Sequence, residues 1–221
     1  TSEAQVSITD SYDADVGSSH LTADIQQSRQ HRSDVTRTRV LDAAIRVLVE
    51  RGYAGATTVA IQDEARVSRG RMLHHFPSRD ALLMAAVEHL ARTRIEELPL
   101  QVEWPDDPIA RISLAVDTGW STFHQPYFVA SMELWIAARN NENLRQALLP
   151  TEREIGLIVR QAVAGFLGED LTSRPRYREL FPVLLSSMRG AATTYLIDRR
   201  DPTTDPHLDL WKAMIKTYLL D

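Results

Sequence analysis

Residues 57–79 read TTVAIQDEARVSRGRMLHHFPSR, and this stretch decides the fold. Thr57 is placed to cap a short helix through about Glu64, with Ile61 and Ala65 on its inner face. Ser68 caps a second helix that runs to Phe76. Pro77 stops it, because the ring removes a donor and clashes with the preceding turn. Ser78 then caps a third. Two short helices joined by a tight turn, the second opening on Ser68, Arg69, Gly70 and Arg71, form a helix-turn-helix. In that motif the second helix enters the DNA major groove.

Working outward, Leu41, Ala44, Ile45 and Leu48 recur at helical spacing and predict a helix from about Val35 to Arg51, with Gly52 as its stop. Leu83, Ala86, Val87 and Leu90 predict a fourth helix from Arg79 to about Glu97. A proline- and acid-rich stretch, Pro99 to Pro108, separates it from further helical periods at 108–123, 126–140, 143–167, 177–199 and 206–220. Pro150 predicts a kink or split in the third of these. Residues 1–33 are polar and lack a sustained apolar period, which predicts a disordered tail. The fold expected is all-α, with a tail at 1–33, a three-helix DNA-binding domain at 34–78 and a second helical domain at 79–221.

The 221-residue chain has a net charge of −5, yet its charge is unevenly spread. Residues 1–28 hold five acids and no Lys or Arg, whereas residues 29–79 hold ten Arg against five acids. The basic charge surrounds the helix-turn-helix, where phosphate contacts need it. With no cysteine, disulfides and thiolate-bound zinc are excluded, which suits a reducing cytoplasm. No apolar run approaches a membrane span and no charged-then-apolar leader opens the chain, so neither membrane insertion nor secretion is expected.

Ile61, Ala65, Val67, Met72 and Phe76 are expected to brace the reading helix. Ser68 and the N–H groups of that helix's first turn can hold a phosphate. Gly70 lets the backbone approach DNA closely, and Arg71 reaches a guanine edge. Arg69, Arg79, His74 and His75 are phosphate candidates, which set register rather than sequence. Adjacent histidines on a helix diverge by about 100° and do not converge on a metal. No metal, cofactor or catalytic residue is expected. A helical hairpin that does not bind DNA is the plainer reading of the same periods, but it has no need of Arg at 69, 71 and 79 together.

Residues 37–90 resemble the N-terminal domain of the TetR family of bacterial transcriptional regulators. The matching residues are Val40-Leu41-Asp42-Ala43-Ala44, Arg51-Gly52-Tyr53, Thr57-Thr58, Val67-Ser68-Arg69-Gly70, His74-His75-Phe76-Pro77-Ser78-Arg79 and Ala81-Leu82-Leu83. The resemblance implies a homodimer that binds a double-stranded DNA operator. It adds Thr57, Thr58 and Leu73 to the DNA-contacting set. The family's usual Ser-Lys-Gly-Thr-Leu-Tyr is here Ser68-Arg69-Gly70-Arg71-Met72-Leu73, so the usual Thr and Tyr are replaced. The turn position that is usually Gly is Arg66.

The resemblance further implies a C-terminal domain that binds a small-molecule effector and dimerises. Trp120, Phe123, Trp135 and Arg189 are the effector-binding candidates. Residues 186–194, SSMRGAATT, are mostly small and suit a close helix–helix contact. Helices 143–167 and 177–199 are the expected dimer surface, and helix four the expected lever between domains. The function expected is a ligand-responsive transcriptional repressor on a palindromic operator. A helical scaffold protein and a helical enzyme are the other classes. Nothing in the chain has the spacing of a nucleophile–base pair or a phosphate loop.

Overall fold

The computed structural model describes the backbone of residues 13–220, and their side chains except at 13–26, 29 and 94–101. Among the described residues it is all helical, without strands. The elements are α1 (Asp13–Gly55), α2 (Thr58–Ala65), α3 (Arg69–His75), α4 (Arg79–Gln101), α5 (Pro108–Thr122), α6 (Pro126–Arg139), α7 (Glu142–Leu167), α8 (Glu169–Thr172), α9 (Tyr177–Thr194) and α10 (His207–Leu220), with a 3₁₀ turn at Pro202–Thr204 before the last.

Caps set most helix starts. Thr57, Ser68, Ser78, Asp107 and Asn141 each accept from a backbone N–H three residues on. Pro108 and Pro126 occupy first-turn positions, where a missing donor costs nothing. Gly52, at φ 67°, kinks α1 at the expected stop.

The helix α1 reaches back to Asp13, so residues 13–33, expected as part of a tail, are helical here. The segment contains no proline. It also extends a helix already anchored by its core face, so no costly nucleus is needed. Residues 1–12 of the expected tail lie outside the described residues.

Two further expectations are corrected. The helix α7 passes through Pro150 without splitting. Pro150 and Gln146 are both exposed, so the carbonyl that loses its donor meets water instead. The helix α9 ends at Thr194 rather than at 199. The Thr193 and Thr194 hydroxyls donate back to the Gly190 and Ala191 carbonyls, and Tyr195 leaves the helix to donate to Asp205 Oδ2 at 2.5 Å.

The described residues form two cores. The first joins α1–α3 to the first half of α4, and takes in Ala130, Leu134 and Ala138 of α6 with Leu144 and Leu148 of α7. The second gathers α5, the later half of α7, α9 and α10 around Trp120, Trp211 and Phe181. The helix α6 belongs to both, since Phe128 and Met132 face the second core. The helices α1–α3 and those from α5 onward thus share a packed wall made by α6 as well as by α4.

Candidate nucleic-acid interface and effector cavity

The brace of the reading helix is buried as expected: Ile61, Ala65, Val67, Met72 and Phe76 all lie in the first core. Arg46 Nε pairs with Glu64 Oε1 at 2.7 Å and ties α1 to α2. The turn at Arg66 is left-handed, with φ 52° and ψ 48°, and its N–H groups close onto the carbonyls of Asp63 and Gln62. This turn sets the angle between α2 and α3.

The opposite face of α3 is open. Ser68, Arg69, Gly70, Arg71, Leu73 and His74 are all exposed, Leu73 by 42 %. A Cβ added at Gly70 would meet nothing within 4 Å, so this surface is free for a close approach. Ser68 Oγ accepts from the Arg71 N–H at 3.4 Å, a long bond that leaves the hydroxyl able to turn outward. Thr57 is exposed and Thr58 half-buried at the start of α2, alongside this face. His75 is half-buried and meets His74 edge-on. Burial lowers the His75 pKa, and His74, Arg37 and Arg71 lower it further, so its ring is neutral near neutral pH and can donate one hydrogen bond without charge. Arg79 is held inward: its guanidinium lies 4.2 Å from the Tyr53 ring centroid and pairs with Asp80 Oδ1 at 3.1 Å. Tyr53 OH donates to the same oxygen at 2.9 Å.

A partly open cavity of about 230 Å³ lies between α5, α6, α7, α9 and α10, with Ala91 of α4 at its edge. Of the four effector-binding candidates, Phe123, Trp135 and Arg189 line it. Trp120 does not. It is only 3 % exposed, donates from Nε1 to the Pro202 carbonyl at 2.8 Å, and meets His124 and Tyr195 edge-on and Trp211 at a tilt. It is a core residue, because its one donor is already satisfied at the far side of α5.

Sequence reasoning missed Ser131, Glu152 and Tyr177, which also line the cavity. Ser131 Oγ, Trp135 Nε1, Glu152 Oε1 and Tyr177 OH are buried without a hydrogen-bond partner. Burial pushes the Glu152 carboxyl above the usual carboxylate range, while the Trp135 N–H and the Arg189 charge pull it back. One signal was available. Leu148, Glu152, Ile155 and Val159 recur at helical spacing, so Glu152 interrupts an apolar stripe. Among the described residues no cluster of three or more His, Cys, Asp or Glu could hold a metal, and no helix is long and apolar enough to cross a membrane.

Helices α7 and α9, expected to share a dimer surface, both line the cavity and meet where the Arg160 guanidinium carbon lies 5.7 Å from the Phe181 ring centroid. The helix α9 also neighbours α10, joined by the Trp211 Nε1 bond to Ser187 Oγ at 3.0 Å. The outer face of α9 is open. Val183 is 55 % exposed and a Cβ at Gly190 would meet nothing within 4 Å, whereas Ser187 and Ala192 of the same small stretch face the second core.

Residues 40–86 match the family model for bacterial regulatory proteins, tetR family. The chain is 31 % identical to the HTH-type transcriptional regulator BetI of Brucella anthropi over 142 residues, which cover 63 % of this chain and 71 % of that protein. It is 29 % identical to the HTH-type transcriptional regulator CymR of Pseudomonas putida over 178 residues, 77 % of this chain and 84 % of that one. Among solved structures, the transcriptional regulator FadR from Bacillus subtilis in complex with stearoyl-CoA superposes with a TM-score of 0.60 at 18 % identity, covering 82 % of this chain and 96 % of that one, and so shares the fold. These relatives are regulators rather than enzymes. The chain belongs to the tetR family of bacterial regulatory proteins and is a DNA-binding transcriptional regulator.

Proposed function

We propose that this regulator is a homodimeric, effector-responsive repressor that reads a palindromic operator through α3 in the cytoplasm. Residues 34–78 act as its reading head, and residues 79–221 as its sensing and dimerising part. The observation that carries the reading is the division of α3 into a buried brace and an exposed face bearing Ser68, Arg69, Gly70 and Arg71. Arg71 is assigned to a base edge, and Arg69 and His74 to phosphates. Thr57, Thr58, Leu73 and His75 form the flank. Arg79 acts chiefly by fixing Tyr53 and Asp80, with its outer edge left for phosphate.

The open faces of α9 and α10, with Val183, Ser186, Gly190 and Leu210, support dimerisation through these two helices. A dimer sets two copies of α3 about 34–36 Å apart on successive major grooves. Effector in the cavity then favours a spacing that DNA does not. By linkage, each ligand weakens the other by the same factor.

Selection of bound DNA from a random pool tests the reading. The wild-type chain enriches an inverted repeat. Arg71→Ala relaxes preference at one position of each half-site, whereas Arg69→Ala weakens all sequences alike. Failure to enrich any repeat overturns it.

A further inference from the structure

The cavity has two unlike ends. At about 1.5 Å of rise per residue, Glu152 stands roughly 20 Å along α7 from Phe166, and Arg189 a similar distance along α9 from Tyr177. The Phe166 end is mainly apolar, with Leu180 and Phe181 beside it, and carries one polar group, the Tyr177 hydroxyl. The Glu152 end is polar. There the Arg189 guanidinium carbon sits 4.7 Å from the Trp135 ring centroid, with Glu152 close to both.

The polar end offers the Arg189 guanidinium, Trp135 Nε1 and Ser131 Oγ as donors, with the Glu152 carboxyl beside them. Among the described residues Ser131 Oγ and Trp135 Nε1 are buried without a well-aligned hydrogen bond, the indole N–H lying near Glu152 and the hydroxyl near Tyr127. Among the described residues Arg189 is held by stacking on Trp135 rather than by an ion pair. Glu152 Oε1 is the buried carboxylate oxygen without a partner among the described residues. Buried donors are costly to leave unmade, so a ligand that brings acceptor oxygens gains most here. An alkylammonium could reach Glu152 but would place a second cation beside Arg189, and an alcohol would leave most of the guanidinium unused.

Resting on the assignment of this cavity as the effector site, we propose that the effector is an organic carboxylate with an apolar body. Its carboxylate takes Arg189, Trp135 and Ser131, and its body lies toward Phe166 and Phe181. A cavity of about 230 Å³ exceeds the roughly 150 Å³ space that admits benzene, so a body of more than one small ring or a medium chain fits.

Calorimetric titration of the full chain with octanoate, octylammonium and octanol tests this. Octanoate is expected to bind roughly tenfold or more tightly than the other two. Arg189→Met is expected to erase that preference while octanol still binds, which shows that the cavity survives. Glu152→Gln keeps the shape, removes the charge and adds a donor, and is expected to bind octanoate at least as tightly as wild type. The proposal is overturned if octylammonium binds best, if no probe binds, or if Arg189→Met leaves the preference intact. Operator binding by the ligand-free wild-type chain is measured alongside. Its loss strikes the regulator reading, whereas its retention with no carboxylate preference strikes the effector class alone.

Discussion

The Tyr53 backbone N–H donates to Glu133 Oε2 at 2.9 Å, joining the end of α1 to the middle of α6. The same carboxylate oxygen lies 3.0 Å from where a Cβ on Gly52 would stand, so the kink in α1 is shaped around it. Glu133 sits between Ser131 and Trp135, whose side chains line the cavity. One helix thus touches both the cavity and the end of α1. Glu133→Ala is expected to cost about 1.5–3 kcal/mol of folding stability, since it removes a charge-assisted bond to a backbone donor. It is also expected to shrink the change in operator affinity that effector causes. Urea denaturation checks the first effect and operator titration with and without effector the second; Glu133→Gln recovers part of each.

Arg66 holds a left-handed turn that most side chains resist. Arg66→Gly is expected to stabilise the chain by up to about 1 kcal/mol, partly offset by the greater freedom of glycine in the unfolded state. In a chain of this size that corresponds to a rise of roughly 2–4 °C in Tm. A lower Tm in a calorimetric scan refutes the strain at this turn.

Leu73 offers an exposed apolar side chain on the reading face, where the family usually carries a tyrosine. Leu73→Tyr supplies a hydroxyl at phosphate height. Operator and non-operator DNA are both expected to bind more tightly, with the preference between them unchanged, because phosphate contacts carry no sequence information. Fluorescence anisotropy on the two DNAs decides it; a gain confined to the operator would mean that the tyrosine reads a base.

Tyr195 and Asp205 set an alkaline limit on the second core. Burial, then the Asp205 bond and charge, push the Tyr195 phenol up to about 12. Burial also pushes the Asp205 carboxyl upward, but the bonds from Tyr195 OH and from the backbone N–H and ring of His207 together outweigh it and leave the group below its ordinary value. The raised phenol contributes stability that is full below its unfolded pKa of about 10 and is lost as pH rises through about 12. The depressed carboxyl contributes stability above about pH 4 that is lost as pH falls through its lower folded value. Tyr195→Phe is therefore expected to melt below wild type near pH 7, with the gap closing between about pH 10 and 12. A gap that stays constant across that range would separate the stability from the Tyr195 proton.

Much of this molecule is legible locally. Thr57, Ser68 and Ser78 cap their helices because a side-chain oxygen three residues before an unpaired N–H is a matter of sequence spacing. The brace from Ile61 to Phe76 follows from helical period alone. The exposed arginines of α3 follow from the same period, read on its other side. What sequence determined, then, is every element whose cause lies within about two helical turns. Tertiary structure decided the rest. Trp120 and Trp135 have the same chemistry, yet one donates to Pro202 across the core and the other faces a cavity. Glu133 and Glu152 are both acids among apolar neighbours, yet one caps α1 and the other stands unpartnered at a ligand-sized space. A local pattern places such a residue on a helix face. Only the packing of distant helices against that face determines whether it meets a backbone donor, a tryptophan or an opening.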